Sequence, residues 1–202
     1  INAVDQVTQW EIVASTPQIS ELWLMPVLEA LLEQFPFQIR GFHSDNGSEF
    51  INYNVARLLE KLLIEQTKSR AHHSGDNGLV ETKNGAIIRK HIGYGHIGAQ
   101  HAEALNQFHR QHLNPYINFH RPCAVPKILT AANGKRRRVY LRWATPFELF
   151  QEVPQCENRL RPHVTLAELD RFAQQESDTE AALSMQFAKR KLFHSLPPKH
   201  EH

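Results

Sequence analysis

Two carboxylates in turn-like contexts are the residues of this chain best suited to chemistry: Asp45 in HSDNGSEF (43–50) and Glu81 in DNGLVETKNG (76–85). By itself, Asp45-Asn46-Gly47 is ordinary turn chemistry, because Asn and Gly tolerate the positive φ angles of tight turns. The pair says more. Asp45 closes the run FQIRGF, at the carboxyl end of an expected strand, where open α/β sheets place their ligand sites. Glu81 falls in the first turn of an expected helix. The 35 residues between them suffice for a turn, a covering helix, a strand and a glycine loop that bring the chain back. Hard carboxylate oxygens on two separate elements suit Mg²⁺ or Mn²⁺ rather than the softer metals that His and Cys attract. Two such ions roughly 4 Å apart activate an attacking oxygen and stabilise a leaving one at a phosphodiester.

The elements that must hold these carboxylates follow from the hydrophobic pattern. Residues 1–16, INAVDQVTQWEIVAST, are rich in Val, Ile, Thr and Trp around a polar break at Asp5-Gln6 and predict a hairpin. Leu22, Leu24, Leu28, Leu31, Leu32 and Phe35 recur at helical spacing, with Pro26 marking a kink or a restart. FQIRGF predicts a short strand ending on His43-Ser44-Asp45. Val55, Leu58, Leu59, Leu62 and Leu63 predict a second helix covering the sheet, and IEQTKSR a further strand. After the polar loop AHHSGDNG (71–78), LVETKNGAIIRKH is helical in pattern from Leu79 to His91, behind an Asp-Asn pair suited to capping. A further helix covers 99–113. Strand, helix, strand, helix, strand is the α/β pattern, with helices packed on a mixed sheet. Prolines then divide the rest into a linker over about 114–144 and three short helices. Thr145 with Glu148, Thr165 with Glu168 and Ser177 with Glu180 each have capping-box spacing, and Pro146 adds a proline at the first helical position.

Composition bounds the possibilities. With 202 residues, 41% of them hydrophobic, the chain can form one sizeable domain, or a domain with a trailing module. No run of about 18 apolar residues occurs, so no membrane span is expected. INAVDQVTQWE lacks an initiator Met and the basic-then-apolar order of a signal peptide, so the chain is expected to be a fragment. Cys123 and Cys156 form no CxxC pair, which indicates neither a disulfide framework nor a zinc site and makes a reducing cytoplasm the default. The net charge of +2 is uneven: residues 1–105 carry 8 Lys and Arg against 12 Asp and Glu, and residues 106–202 carry 15 against 9. Lys135-Arg136-Arg137-Arg138 is the densest run, readable as a solvated loop or as a phosphate contact.

The Asp45 and Glu81 motifs in this order, with NPYINFHRP (114–122) and TPFE (145–148) beyond them, make the sequence resemble the catalytic core of the retroviral-integrase and bacterial insertion-sequence transposase superfamily. That family's motif is Asp, Asp, 35 residues, Glu, and the resemblance covers about residues 1–105. It implies an α/β, ribonuclease-H-like mixed sheet with flanking helices over 1–105, then a post-catalytic helix and basic linker over 106–150, and a helical C-terminal segment over 151–202. It also implies metal-dependent cleavage and strand transfer on double-stranded DNA, both element ends and target. In that scheme Asp45 is the second acidic ligand and Glu81 the third, holding Mg²⁺ or Mn²⁺ in a two-metal site. The family's first aspartate lies on a strand before the hairpin. INAVDQVTQWE matches the second strand, so that first strand and its aspartate are expected upstream of Ile1, and Asp5, at the hairpin turn, does not replace it. The fragment is therefore expected to be catalytically weak or dead. The implied setting is the bacterial cytoplasm, on the nucleoid when DNA-bound, as a homo-oligomer that synapses two DNA ends.

Around the two carboxylates, Asn46 and Gly47 shape the turn, with Asn46 approaching DNA, and Lys83, Asn84, Arg89 and Lys90 supply donors for a phosphate backbone. Gly85 and Ile88 fall near the face of Glu81, and Val80 and Ile87 point about 100° away toward the core. His72 and His73 read as loop histidines, Glu49 and Asp76 as peripheral acids, and His120-Arg121-Pro122 as a structural corner touching DNA or a neighbouring subunit. Two other classes stay open: a non-catalytic DNA-binding or multimerising remnant, and a ribonuclease-H-like nuclease that hydrolyses without rejoining.

Overall fold

The chain begins with the hairpin that its Val- and Ile-rich opening predicts: β1 (Asn2–Val4) and β2 (Glu11–Val13) pair antiparallel, with Ala3 opposite Ile12. The computed structural model describes residues 1–44, 53–68, 78–130 and 133–196. Asp5 builds the turn, its Oδ2 accepting from the Val7 amide, the Thr8 amide and the Thr8 hydroxyl at 3.2, 2.7 and 2.7 Å. Trp10, Ile12 and Ala14 join one hydrophobic cluster and Val13 another, the two-residue period of a strand covered on both faces.

The Leu-rich segment folds as α1 (Glu21–Leu32), which buries Leu24, Leu28, Leu31 and Leu32. Leu22 departs from the expected face and is exposed. Pro26 sits inside the helix without ending it, on the exposed side, where water can reach the carbonyl that a proline leaves unpaired. Next come β3 (Gly41–Ser44), α2 (Tyr53–Lys61) and β4 (Glu65–Lys68), with β3 and β4 parallel and Phe42 opposite Gln66. In α2 the expected Val55, Leu58 and Leu59 are buried, whereas Leu62 and Leu63 lie past its end and are exposed, Leu63 at φ 56°. Then α3 (Gly78–Lys83) widens into a π-helical stretch, Asn84–Arg89. After a 3₁₀ turn at Ala99–His101, α4 (Ala102–Phe108) continues through π-helical stretches at His109–Leu113 and Tyr116–His120, further than the predicted end at 113.

The rest of the expected linker is not a linker. It forms β5 (Cys123–Thr130) and β6 (Arg136–Ala144), an antiparallel ribbon whose turn contains Asn133-Gly134, with Gly134 at φ 78°. Asn-Gly between two apolar runs is the strongest short-range hairpin signal. Pro126 is tolerated because the ribbon has only edge strands and the register shifts between Val125 and Pro126. Finally α5 (Pro146–Gln151), α6 (Leu166–Ala173) and α7 (Asp178–Ser195) start where predicted, each with its capping box formed.

The class is mixed α/β, as expected. The described residues form three separate two-stranded sheets, β1-β2, β3-β4 and β5-β6, rather than one continuous mixed sheet. The larger core joins the hairpin to α1, α2 and α5 through residues such as Trp10, Leu28, Leu59 and Phe150, with Trp10 edge-on to Phe37 and Phe119. A second cluster packs Val13 against Ile87, Phe108, Leu113, Ile117 and Met185. β2 thus lies between two helical layers. Its outer edge is closed by side chains: Asn118 accepts from the Glu11 amide and donates to the Glu11 carbonyl, both at 2.8 Å. Asn114 pairs likewise with Val13 at 3.0 and 3.2 Å, and Asn106 with Ser15 at 2.7 and 2.9 Å. A carboxamide has the donor and acceptor of a peptide group, so the three asparagines substitute for a neighbouring strand. Among the described residues no helix is long and apolar enough to cross a membrane.

Candidate functional site

Glu81 stands in the first turn of α3 with its side chain exposed and takes no partner among the described residues. Two positions later the helix has turned by about 200°, and Lys83 points inward. Its side chain is buried, with Nζ 3.5 Å from Oε2 of the equally buried Glu11. The Asn2 carboxamide Nδ2 donates to Glu11 Oε1 and to Asn84 Oδ1, each at 3.0 Å. This polar cluster, with Ile87 inserted beside Val13, fixes the inner face of α3 to the hairpin and leaves Glu81 outward. Burial pushes the Glu11 carboxyl up from the ordinary range, and the Lys83 charge and the Asn2 hydrogen bond pull it back down. Burial likewise pushes up the Cys123 thiol, against the opposing charges of Lys83 and Arg121.

The predicted donors around Glu81 divide. Lys83 is corrected: buried and ion-paired with Glu11, it cannot reach a phosphate from this position. Asn84 is half-buried and engaged by Asn2. Arg89 and Lys90 are exposed, the Arg89 guanidinium 5.7 Å from the centre of the Tyr94 ring. Ile87 is buried, as its phase predicts, and Gly85 is exposed on the outer side. Asp45, Asn46, Gly47, Glu49, His72, His73 and Asp76 lie outside the described residues. The strand leading to Asp45 is described: His43 Nδ1 lies 2.9 Å from Thr67 Oγ1 on β4. Among the described residues no three His, Cys, Asp or Glu side chains gather as a metal site. His120 is a structural corner, buried at the end of the α4 segment with Nδ1 3.1 Å from Asp178 Oδ1 at the start of α7.

Residue patterns did not single out Glu11, Asn2 or the asparagine ladder. Their roles arise from contacts between segments far apart in the chain, for which no local signal exists. The basic ribbon did have a local signal, Asn133-Gly134.

No protein-family model matches the chain. An uncharacterized protein of Sinorhizobium fredii, y4rM, is 41% identical over 76 residues, which are 37% of this chain and 22% of that protein. The chain thus matches a minor part of that relative's length.

Proposed function

We propose that this chain is part of a DDE-type transposase or integrase core of ribonuclease-H-like fold. It would act on double-stranded DNA through Mg²⁺ or Mn²⁺ held by Asp45, Glu81 and a third carboxylate from a strand preceding β1. The observation that carries the reading is the order of parts. A hairpin precedes β3, which runs into Asp45; α2 and the parallel β4 follow, and α3 then presents Glu81 in its first turn, 35 residues after Asp45. Glu81 fits a hard cation, being an exposed carboxylate without a described partner on a helix held from behind by Lys83 and Glu11. The bound ions would polarise the phosphate and activate the attacking oxygen. The protein's own part is to hold its carboxylates on separate elements and to offer Arg89 and Lys90 to the DNA backbone. Asp5 is left out of this set because it sits at the hairpin turn, where its Oδ2 accepts three hydrogen bonds that shape the turn. The same reading makes the complete protein a homo-oligomer acting on bacterial nucleoid DNA.

Mn²⁺ titration followed by electron paramagnetic resonance is expected to show weak binding that disappears in Asp45→Asn and in Glu81→Gln. Binding unchanged in Glu81→Gln would remove that residue from the site. A polypeptide extended upstream, given labelled element-end DNA and Mg²⁺, is expected to join cut ends to target DNA. Ends that are cut and never joined would instead identify a hydrolysing nuclease.

A further inference from the structure

We propose that the β5–β6 ribbon is a docking arm that enters the major groove of duplex DNA. Between Cys123 and Ala144 lie six Lys and Arg residues and no Asp or Glu. Of the described residues from Pro126 to Trp143, all but Val139 are exposed. The ribbon includes Tyr140 at 55% and Trp143 at 70% exposure, aromatic rings with an apolar face and a polar edge. Among the described residues the ribbon is anchored at its base, where Cys123, Ala144 and Leu149 form a small apolar cluster and Gln9 Nε2 donates to the Ala124 carbonyl at 3.0 Å.

The pairing register shows how the charges are distributed. Cross-strand neighbours share a face, so Thr130 with Arg136, Ile128 with Arg138 and Pro126 with Tyr140 lie on one side, and Leu129 with Arg137 and Lys127 with Val139 on the other. The bulge then leaves Leu141 without a partner and resets the phase: Ala124 pairs with Trp143, which joins Arg136, Arg138 and Tyr140 on the first face. Arg142 is turned to the second face, where Glu152 takes it at 2.5 Å. None of the other five basic side chains of the ribbon has a carboxylate partner among the described residues.

The tip therefore carries cations on both faces, with two aromatic rings nearer the base on one of them. A single strand presents one row of phosphates, which a one-sided cationic face would meet. Cations on both faces suit a groove walled by two backbones, and the major groove, about 12 Å wide, admits a two-stranded ribbon. The absence of acids argues against a basic or neutral protein partner, and the separation of charged tip from aromatic base argues against an apolar cleft. The proposal rests on the ribbon's own charges and geometry, independently of the metal site.

Fluorescence anisotropy of a labelled duplex of about 20 base pairs, with the whole chain in EDTA across about 50 to 200 mM salt, tests it. Lys127→Ala/Arg137→Ala and Arg136→Ala/Arg138→Ala, one pair on each face, should each weaken binding at least tenfold and lower the log–log salt slope by up to about 1.8. Trp143→Leu should weaken binding with the slope unchanged. All these positions are exposed, and circular dichroism should report an intact fold. Wild-type affinity and slope in both pairs would overturn the proposal. So would tighter binding of the single strand, or equal binding of duplex RNA, whose deep and narrow major groove excludes a ribbon. Because no metal is present, failure here leaves the proposed metal site untouched, and loss of Mn²⁺ binding would leave the ribbon untouched.

Discussion

A lysine and a glutamate, both almost out of solvent, tie the helix of Glu81 to the hairpin. The pair is a liability if broken, because removing one partner strands the other charge in a poorly solvated place. Lys83→Met is expected to lose about 3–5 kcal/mol of stability in urea denaturation, and adding Glu11→Leu to recover more than half of it. An unchanged midpoint in Lys83→Met would mean that the pair holds nothing together. Lys83 also shows where sequence reading stops. On a helix that begins with an exposed Glu81, a lysine two positions on reads as a solvated donor, and only the distant Glu11 reveals that this face is the inner one. Glu81 was readable because helix start signals are local, and Ile87 because its phase follows from the same period.

The elements that were legible share that locality. All three C-terminal capping boxes formed as spaced, since each needs only four consecutive residues. The β3, α2, β4 succession followed from apolar period and length. The ribbon was missed because Pro126 and the arginine run resemble linker composition, although Asn133-Gly134 announces its turn. The asparagine ladder lay beyond reach altogether: Asn106, Asn114 and Asn118 read as polar positions on a helix, and their partners lie 91 to 107 residues away. Asn118→Leu leaves the Glu11 amide and carbonyl buried without partners and should lower stability by about 2–4 kcal/mol. Hydrogen exchange at the Glu11 amide should accelerate in step. A loss no larger than that of an exposed helix substitution would sink the view that the carboxamide replaces a strand.

Across the whole molecule, two buried histidines should withdraw stability as pH falls from 6.5 toward 4. His109 and His91 are buried, and burial lowers both from 6.5 to about 4, with the positive charges of Lys189, Arg121 and Lys90 contributing at His91. A depressed histidine leaves stability intact above pH 6.5 and removes it as pH falls toward 4, because only the unfolded chain takes up the proton. His109 alone should withdraw about 3 kcal/mol over that window. Glu11, raised by burial, acts in the opposite sense from pH 4.5 upward, so the test compares wild type with His109→Gln, in which the Glu11 contribution cancels. Equal pH slopes would discount His109. The asparagine ladder also imposes an order in time. Glu11 and Asn118 are 107 residues apart, so during synthesis at about 5–20 residues per second the outer edge of β2 emerges roughly 5–20 s before the carboxamide that seals it. In that interval its open backbone can pair with any other strand within reach, which makes the pace of translation a determinant of whether this chain folds or aggregates.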